Sequence, residues 1–189
     1  MTPAEASALL FGDRLSCEEL RPATVLPRPR RPDPAMAASG EALLRALAVL
    51  EDGGRPEEPE NSDHAHALAR VEAKLDLLTS LVAGLSRQED ADPVRFLTWS
   101  ARGACLELPE LPDPPEGGGC LFRVRPADWL PSTLVLAATE LAREPGSQGV
   151  RCWLRFDPMP LGLEAALERH LFRIHRRAVA ESRRPKQPS

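Results

Sequence analysis

The chain has 189 residues, a formal net charge of −4, 42% hydrophobic residues, 4% aromatics and no tyrosine. That length suits one domain with an elaboration. The acidic balance argues against a general nucleic-acid binder, and the core must be built mainly from Leu, Val and Ala.

Twenty prolines divide the chain into short ordered stretches. The apolar patch at Ala8 to Phe11 is too short for a signal-peptide core, and no run has the length of a membrane span. These features place the chain in the cytoplasm, with no membrane insertion. Cys17, Cys105, Cys120 and Cys152 are scattered without a CxxC pair, so four reduced thiols are expected.

Residues 1–34 read as a Pro- and Arg-rich arm, with room for a first strand between Leu15 and Leu26. Residues 35–90 read as a helical insertion. Its first part, Met36 to Leu50, is rich in Ala and Leu and stops at Asp52-Gly53-Gly54. Asn61, Ser62 and Asp63 then offer N-caps for a second helix, His64 to Gln88.

That second helix carries a heptad. Leu68, Val71, Leu75, Leu78, Val82 and Leu85 recur at alternating spacings of three and four, the a/d seam of a coiled coil. Leu77 and Leu81 widen the apolar face. Together with the Ala/Leu face of Met36 to Leu50, they point to more than two helices at the core, a tetramer over a dimer. The plain alternative is a helix packed on its own domain.

Residues 91–160 read as short strands. Val94 to Trp99 alternates, Ser100 to Gly103 is a turn, and Ala104 to Leu108 is a second strand. Cys120 to Arg125, Thr133 to Leu141 and Val150 to Phe156 follow, with a hairpin turn at Gly146 to Gly149. Residues 161–184 form a closing helix with Leu163, Leu167, Leu171, Ile174 and Ala178 on one stripe, and residues 185–189 a disordered tail. The fold class is α+β, an antiparallel sheet or barrel with helices.

No catalytic constellation is visible, and the chain reads as non-enzymatic. The glycines at 117–119 lack the Lys-Ser/Thr of a phosphate loop. His170 and His175 are five apart, the wrong spacing for a zinc pair, and no metal site is expected. All four histidines read as solvated or capping residues. Arg169, Arg173, Arg176 and Arg177 make the closing helix basic and are candidate contacts for an acidic partner or nucleic acid. Nucleic acid is the weaker reading, because no aromatics interleave to stack bases.

The stretch Thr98-Trp99-Ser100-Ala101-Arg102-Gly103 resembles the D/N-x-S-x-x-G motif of PilZ domains. The strands around it and the basic closing helix match the PilZ order over residues 93–180, with a possible first strand in the arm. The resemblance implies a six-stranded antiparallel barrel closed by a helix. It also implies a relation to cyclic di-GMP signalling, since PilZ domains are usually receptors for that messenger. The family holds it with an RxxxR stretch ahead of the barrel and with the turn motif.

Both elements are altered here. Thr98 stands where the motif has Asp or Asn, while Ser100 and Gly103 match. Arg14, Arg21, Arg28, Arg30 and Arg31 each lack an arginine four residues on, and Arg151/Arg155 and Arg169/Arg173 come after the turn. With a helical segment between arm and barrel, the arm is not expected to reach the turn. No cofactor is therefore expected. The resemblance implies an atypical member that contacts other proteins and serves type IV pilus function and motility, with the helical insertion setting its oligomeric state. A genuine cyclic di-GMP receptor with substitute arginines is the runner-up. Gly103 is expected to take a positive φ, and Ser100 to bond the turn backbone.

Overall fold

The computed structural model describes residues 1–29, 31, 33–52, 71, 75, 92–110, 119–147 and 149–183. Six antiparallel strands close a barrel: β1 (Ser16–Pro27), β2 (Val94–Ser100), β3 (Gly103–Leu108), β4 (Gly119–Val124), β5 (Leu134–Pro145) and β6 (Val150–Phe156). The order around the barrel is β1-β2-β3-β6-β5-β4. Three helices accompany it: α1 (Pro3–Phe11), α2 (Met36–Asp52) and α3 (Leu161–Ser182).

β1 makes the closure possible. Its first half, Ser16 to Pro22, pairs with β2, and its second half, Ala23 to Pro27, pairs with β4. Closure leaves no free sheet edge. The arm thus contributes a strand paired on both sides, and it reaches the turn, with Ser16 opposite Ser100.

Trp99, Leu97, Leu106, Phe122, Leu134 and Leu154 are fully or almost fully buried inside the barrel. Three aromatics meet there: the Trp99 and Phe122 ring centroids are 6.4 Å apart, and those of Phe122 and Phe156 5.6 Å. Aromatic burial offers more area per residue than Ala or Val, which suits a small barrel. The four cysteines are free. Burial pushes the Cys17, Cys105 and Cys120 thiols up to about 11, so they stay protonated near neutrality.

α2 and α3 pack on each other and on this core. Leu43, Leu44 and Leu47 join Leu163, Leu167 and Leu171 in the main buried cluster. Gly40 lies against Leu163 and Glu51 against Arg173, so the two helices run parallel. The Ala/Leu face of α2 is thus buried within its own fold through Leu43, Leu44 and Leu47.

His170 departs from the solvated reading. It is fully buried on α3, with its ring edge-on to Trp99 at a centroid distance of 5.9 Å. Among the described residues neither ring nitrogen has a hydrogen-bond partner by geometry, although the Pro126 carbonyl pulls weakly towards the protonated form. Burial, reinforced by the charges of Arg173, Arg177 and Arg21, holds its pKa down to about 3. The folded state therefore refuses a proton that the unfolded chain accepts near 6.5. Stability is expected to fall as pH drops from about 6.5 towards 3, and His170→Leu to flatten that slope. Urea titrations at several pH values check this; identical slopes for both proteins would refute it.

Candidate functional site

The β2–β3 turn carries the motif. Ser100 ends β2 and is fully buried. Its Oγ accepts from the Arg102 backbone N–H at 3.1 Å, bracing the turn, and donates to the Leu10 carbonyl at 2.8 Å. Leu10 belongs to α1, an element absent from the sequence reading of residues 1–34. Its local signal is nevertheless clear. Thr2 caps the helix, Glu5 returns the bond to the Thr2 backbone, and Pro3 sits at the first helical position.

α1 lies on the outside of the barrel, over the turn. Ala6 and Leu10 form a small second core with Ala142 and Trp153, joined by Phe11, Cys105 and Leu141. Trp153 Nε1 donates to Ser7 Oγ at 2.7 Å, which fixes the helix on β6. Gly103 opens β3 underneath. Among the described glycines only Gly149 has a positive φ, so Gly103 is not held in a left-handed conformation. It is required by close approach instead: an added Cβ would run into the Leu154 backbone oxygen and come within 2.8 Å of Leu10 Cδ2.

The motif residues thus have intramolecular work. Ser100 spends its hydroxyl on the turn and on α1, Gly103 lies under Leu10, and Thr98 is half-buried on β2 beside Cys105. Two arm arginines are also engaged. Arg21 pairs with Glu19 and Asp128, and Arg28 with Asp157 and the Ala138 carbonyl. Three exposed arginines remain close to the turn in register: Arg14 ahead of β1, Arg102 in the turn, and Arg155 opposite Gly103.

The basic closing helix is divided. Arg173 and Arg177 both hold Glu51, at 3.1 and 2.8 Å, and tie α3 to the end of α2. Arg173 is largely buried in that pair and leaves the set of exposed partner contacts. Arg169 bonds the Ala165 carbonyl of its own helix, and Arg176 sits over the Phe172 ring at 6.0 Å. Of the heptad positions, Val71 and Leu75 are described. Both are helical and more than half exposed. Leu68, Leu78, Leu81, Val82 and Leu85 lie outside the described residues. Among the described residues no acidic, His or Cys cluster could hold a metal, and no helix is long and apolar enough to cross a membrane.

Comparison with known proteins agrees with this architecture. A model of the atypical PilZ domain, described as a cyclic di-GMP receptor, matches residues 44–184. A tetrameric PilZ domain protein of Xanthomonas campestris, self-assembled via a helical bundle, is 40% identical over 94% of this chain and 97% of its own, with a TM-score of 0.71. The cyclic di-GMP-bound PilZ domain of YcgR from Escherichia coli is 16% identical over 50% of this chain and 82% of its own, with a TM-score of 0.36. The Bacillus subtilis inhibitor of motility MotI (DgrA) is 16% identical over 47% of this chain and 43% of its own, also with a TM-score of 0.36. No curated protein matches the chain. With its closed six-stranded barrel, its closing helix and a family match over most of its length, the chain belongs to the atypical PilZ domain family.

Proposed function

We propose that this protein is a non-enzymatic signalling adaptor that assembles into a homo-tetramer and acts through protein contacts in pilus-based motility. On this reading its own β2–β3 turn does not hold cyclic di-GMP. The observation that carries it is the cap: α1 covers the turn, and Leu10 takes both the Ser100 hydroxyl and the space above Gly103. A dianionic ligand needs convergent cationic donors, each charge-assisted bond contributing about 1.5–3 kcal/mol. Without an RxxxR pair, two such bonds are missing, a loss of about 3–6 kcal/mol that turns micromolar binding into negligible binding.

Assembly is supported by the heptad, by the half-exposed Val71 and Leu75, and by the tetrameric relative from Xanthomonas campestris. The link to pili rests on the family resemblance of atypical members.

The second reading is a genuine receptor with substitute arginines. The exposed Arg14, Arg102 and Arg155 around the turn favour it, as does the description of the family model. Calorimetric titration with cyclic di-GMP decides. No saturable heat is expected at tens of micromolar protein. A dissociation constant at or below about 1 μM, roughly −8 kcal/mol, would overturn the adaptor reading. Loss of that binding in Arg102→Ala or Arg155→Ala would then establish the receptor.

A further inference from the structure

Val94 to Trp99 puts large apolar side chains on both faces of β2, Leu97 and Trp99 beside Arg95 on one and Val94 and Phe96 beside Thr98 on the other, and the barrel buries only the first pair. Leu97 and Trp99 point inward and are fully buried. Val94 and Phe96 point outward, 63% and 57% exposed. Leu20 of β1 stands directly opposite Phe96 and is 64% exposed. Directly paired residues bring their Cβ atoms to about 4.5–5.5 Å, so Leu20 and Phe96 form one surface, with Val94 two residues along β2. Three large apolar side chains sharing a face in water mark a contact surface more often than chance exposure.

We infer that this β1–β2 outer face is a contact between copies of this chain, supplementary to the helical segment. The inference rests on the assembly proposed above. Its first support is the position of the patch. Val94 follows residues 53–91, which contain the heptad, with Asp92 and Pro93 between. That junction is held firmly. Arg123 grips Asp92 with two bonds, at 2.8 and 2.7 Å, and the Pro93 carbonyl accepts from Ala23 N–H at 3.2 Å. Copies joined through the heptad therefore start their barrels from a fixed point beside this patch. A short tether raises the effective concentration of a second contact to the millimolar range, where a small apolar patch suffices.

Charge gives the second support and selects the occupant. A symmetric contact sets a surface against its own copy, so a charged face repels itself. Leu20, Val94 and Phe96 carry no charge, and Glu18, one rung beyond Leu20, lies at the rim. The exposed Phe172 of α3 differs, since Arg169 and Arg176 accompany it on the helix. The neutral β1–β2 face is the one suited to a second copy. Three side chains are far fewer than the 20–30 residues a side of a stable stand-alone interface. The patch adds to an assembly that the helices nucleate.

The test uses the full chain bearing Phe96→Glu or Leu20→Glu, with sedimentation velocity over a dilution series. The expected result is dissociation at about tenfold higher protein concentration than wild type, with the thermal melt of the barrel unchanged. If Phe96→Glu disturbs folding, Phe96→Gln introduces polarity without charge and should shift dissociation in the same direction. Variants that fold and dissociate at the wild-type concentration overturn the inference. If Leu75→Asp with Leu78→Asp still dissociates the protein, the assembly proposal survives that failure. A monomeric wild type at tens of micromolar overturns both.

Discussion

Gly103→Val is expected to lower the unfolding free energy by at least about 3 kcal/mol, the upper end of the range for overpacking a filled site. The side chain has no free volume to enter. Its Cβ alone collides with the Leu154 backbone oxygen, and that oxygen belongs to the strand pairing Ala104 with Leu154 and Gly103 with Arg155. Backbone in a ladder cannot retreat without losing its bonds. On the other side Leu10 Cδ2 is displaced, so α1 is pushed off the turn as well. Ser100→Ala is the instructive contrast. It removes one donor and one acceptor from a buried site, a cost of about 1–3 kcal/mol, and leaves the ladder intact. Urea unfolding followed by tryptophan fluorescence measures both. Trp99 reports the barrel interior and Trp153 the contact with α1. Wild-type stability of Gly103→Val would show that the close approach is not a constraint on this turn.

Leu75→Asp combined with Leu78→Asp is expected to convert the assembly into monomers at tens of micromolar. Each substitution places a carboxylate where the heptad puts an apolar side chain. An ionised group cannot be buried there without a partner, and copies meeting at the seam bring several together. Each large aliphatic side chain buried in such a seam contributes about 1.5–3 kcal/mol, so replacing two per chain removes much of the driving force. Leu75 lies outside the barrel core, as does Val71 one turn earlier, and both are more than half exposed in the single chain. The barrel should therefore melt as in wild type. Light scattering reads the mass directly, and a monomeric wild type would return this helix to intramolecular packing.

Much of the fold was legible because its signals are local. Period-two alternation marked the strands from Val94 to Phe156, and spacings of three and four marked the helical stripes on α2 and α3. The PilZ-like turn, strand order and closing helix were enough to expect the six-stranded barrel. Even α1 carried a local signature, the Thr2–Glu5 capping box, although the prolines and arginines farther along the arm obscured it.

What only the tertiary structure decided is which surface receives each apolar face. Both faces of β2 carry large apolar side chains, Val94 and Phe96 on one and Leu97 and Trp99 on the other, so alternation alone could not say that Trp99 turns inward and Phe96 outward. The apolar face of α2 could equally have met a second copy; proximity to α3 and the barrel claimed it. His170 sits on a helix face that reads as mixed, and its burial against Trp99 follows from how α3 crosses the barrel. The cap on the turn depends on a hydrogen bond between residues 90 apart in sequence, from Ser100 to Leu10. Such a bond has no periodic signature. It exists because β1 pairs with β2 and thereby delivers α1 to the turn.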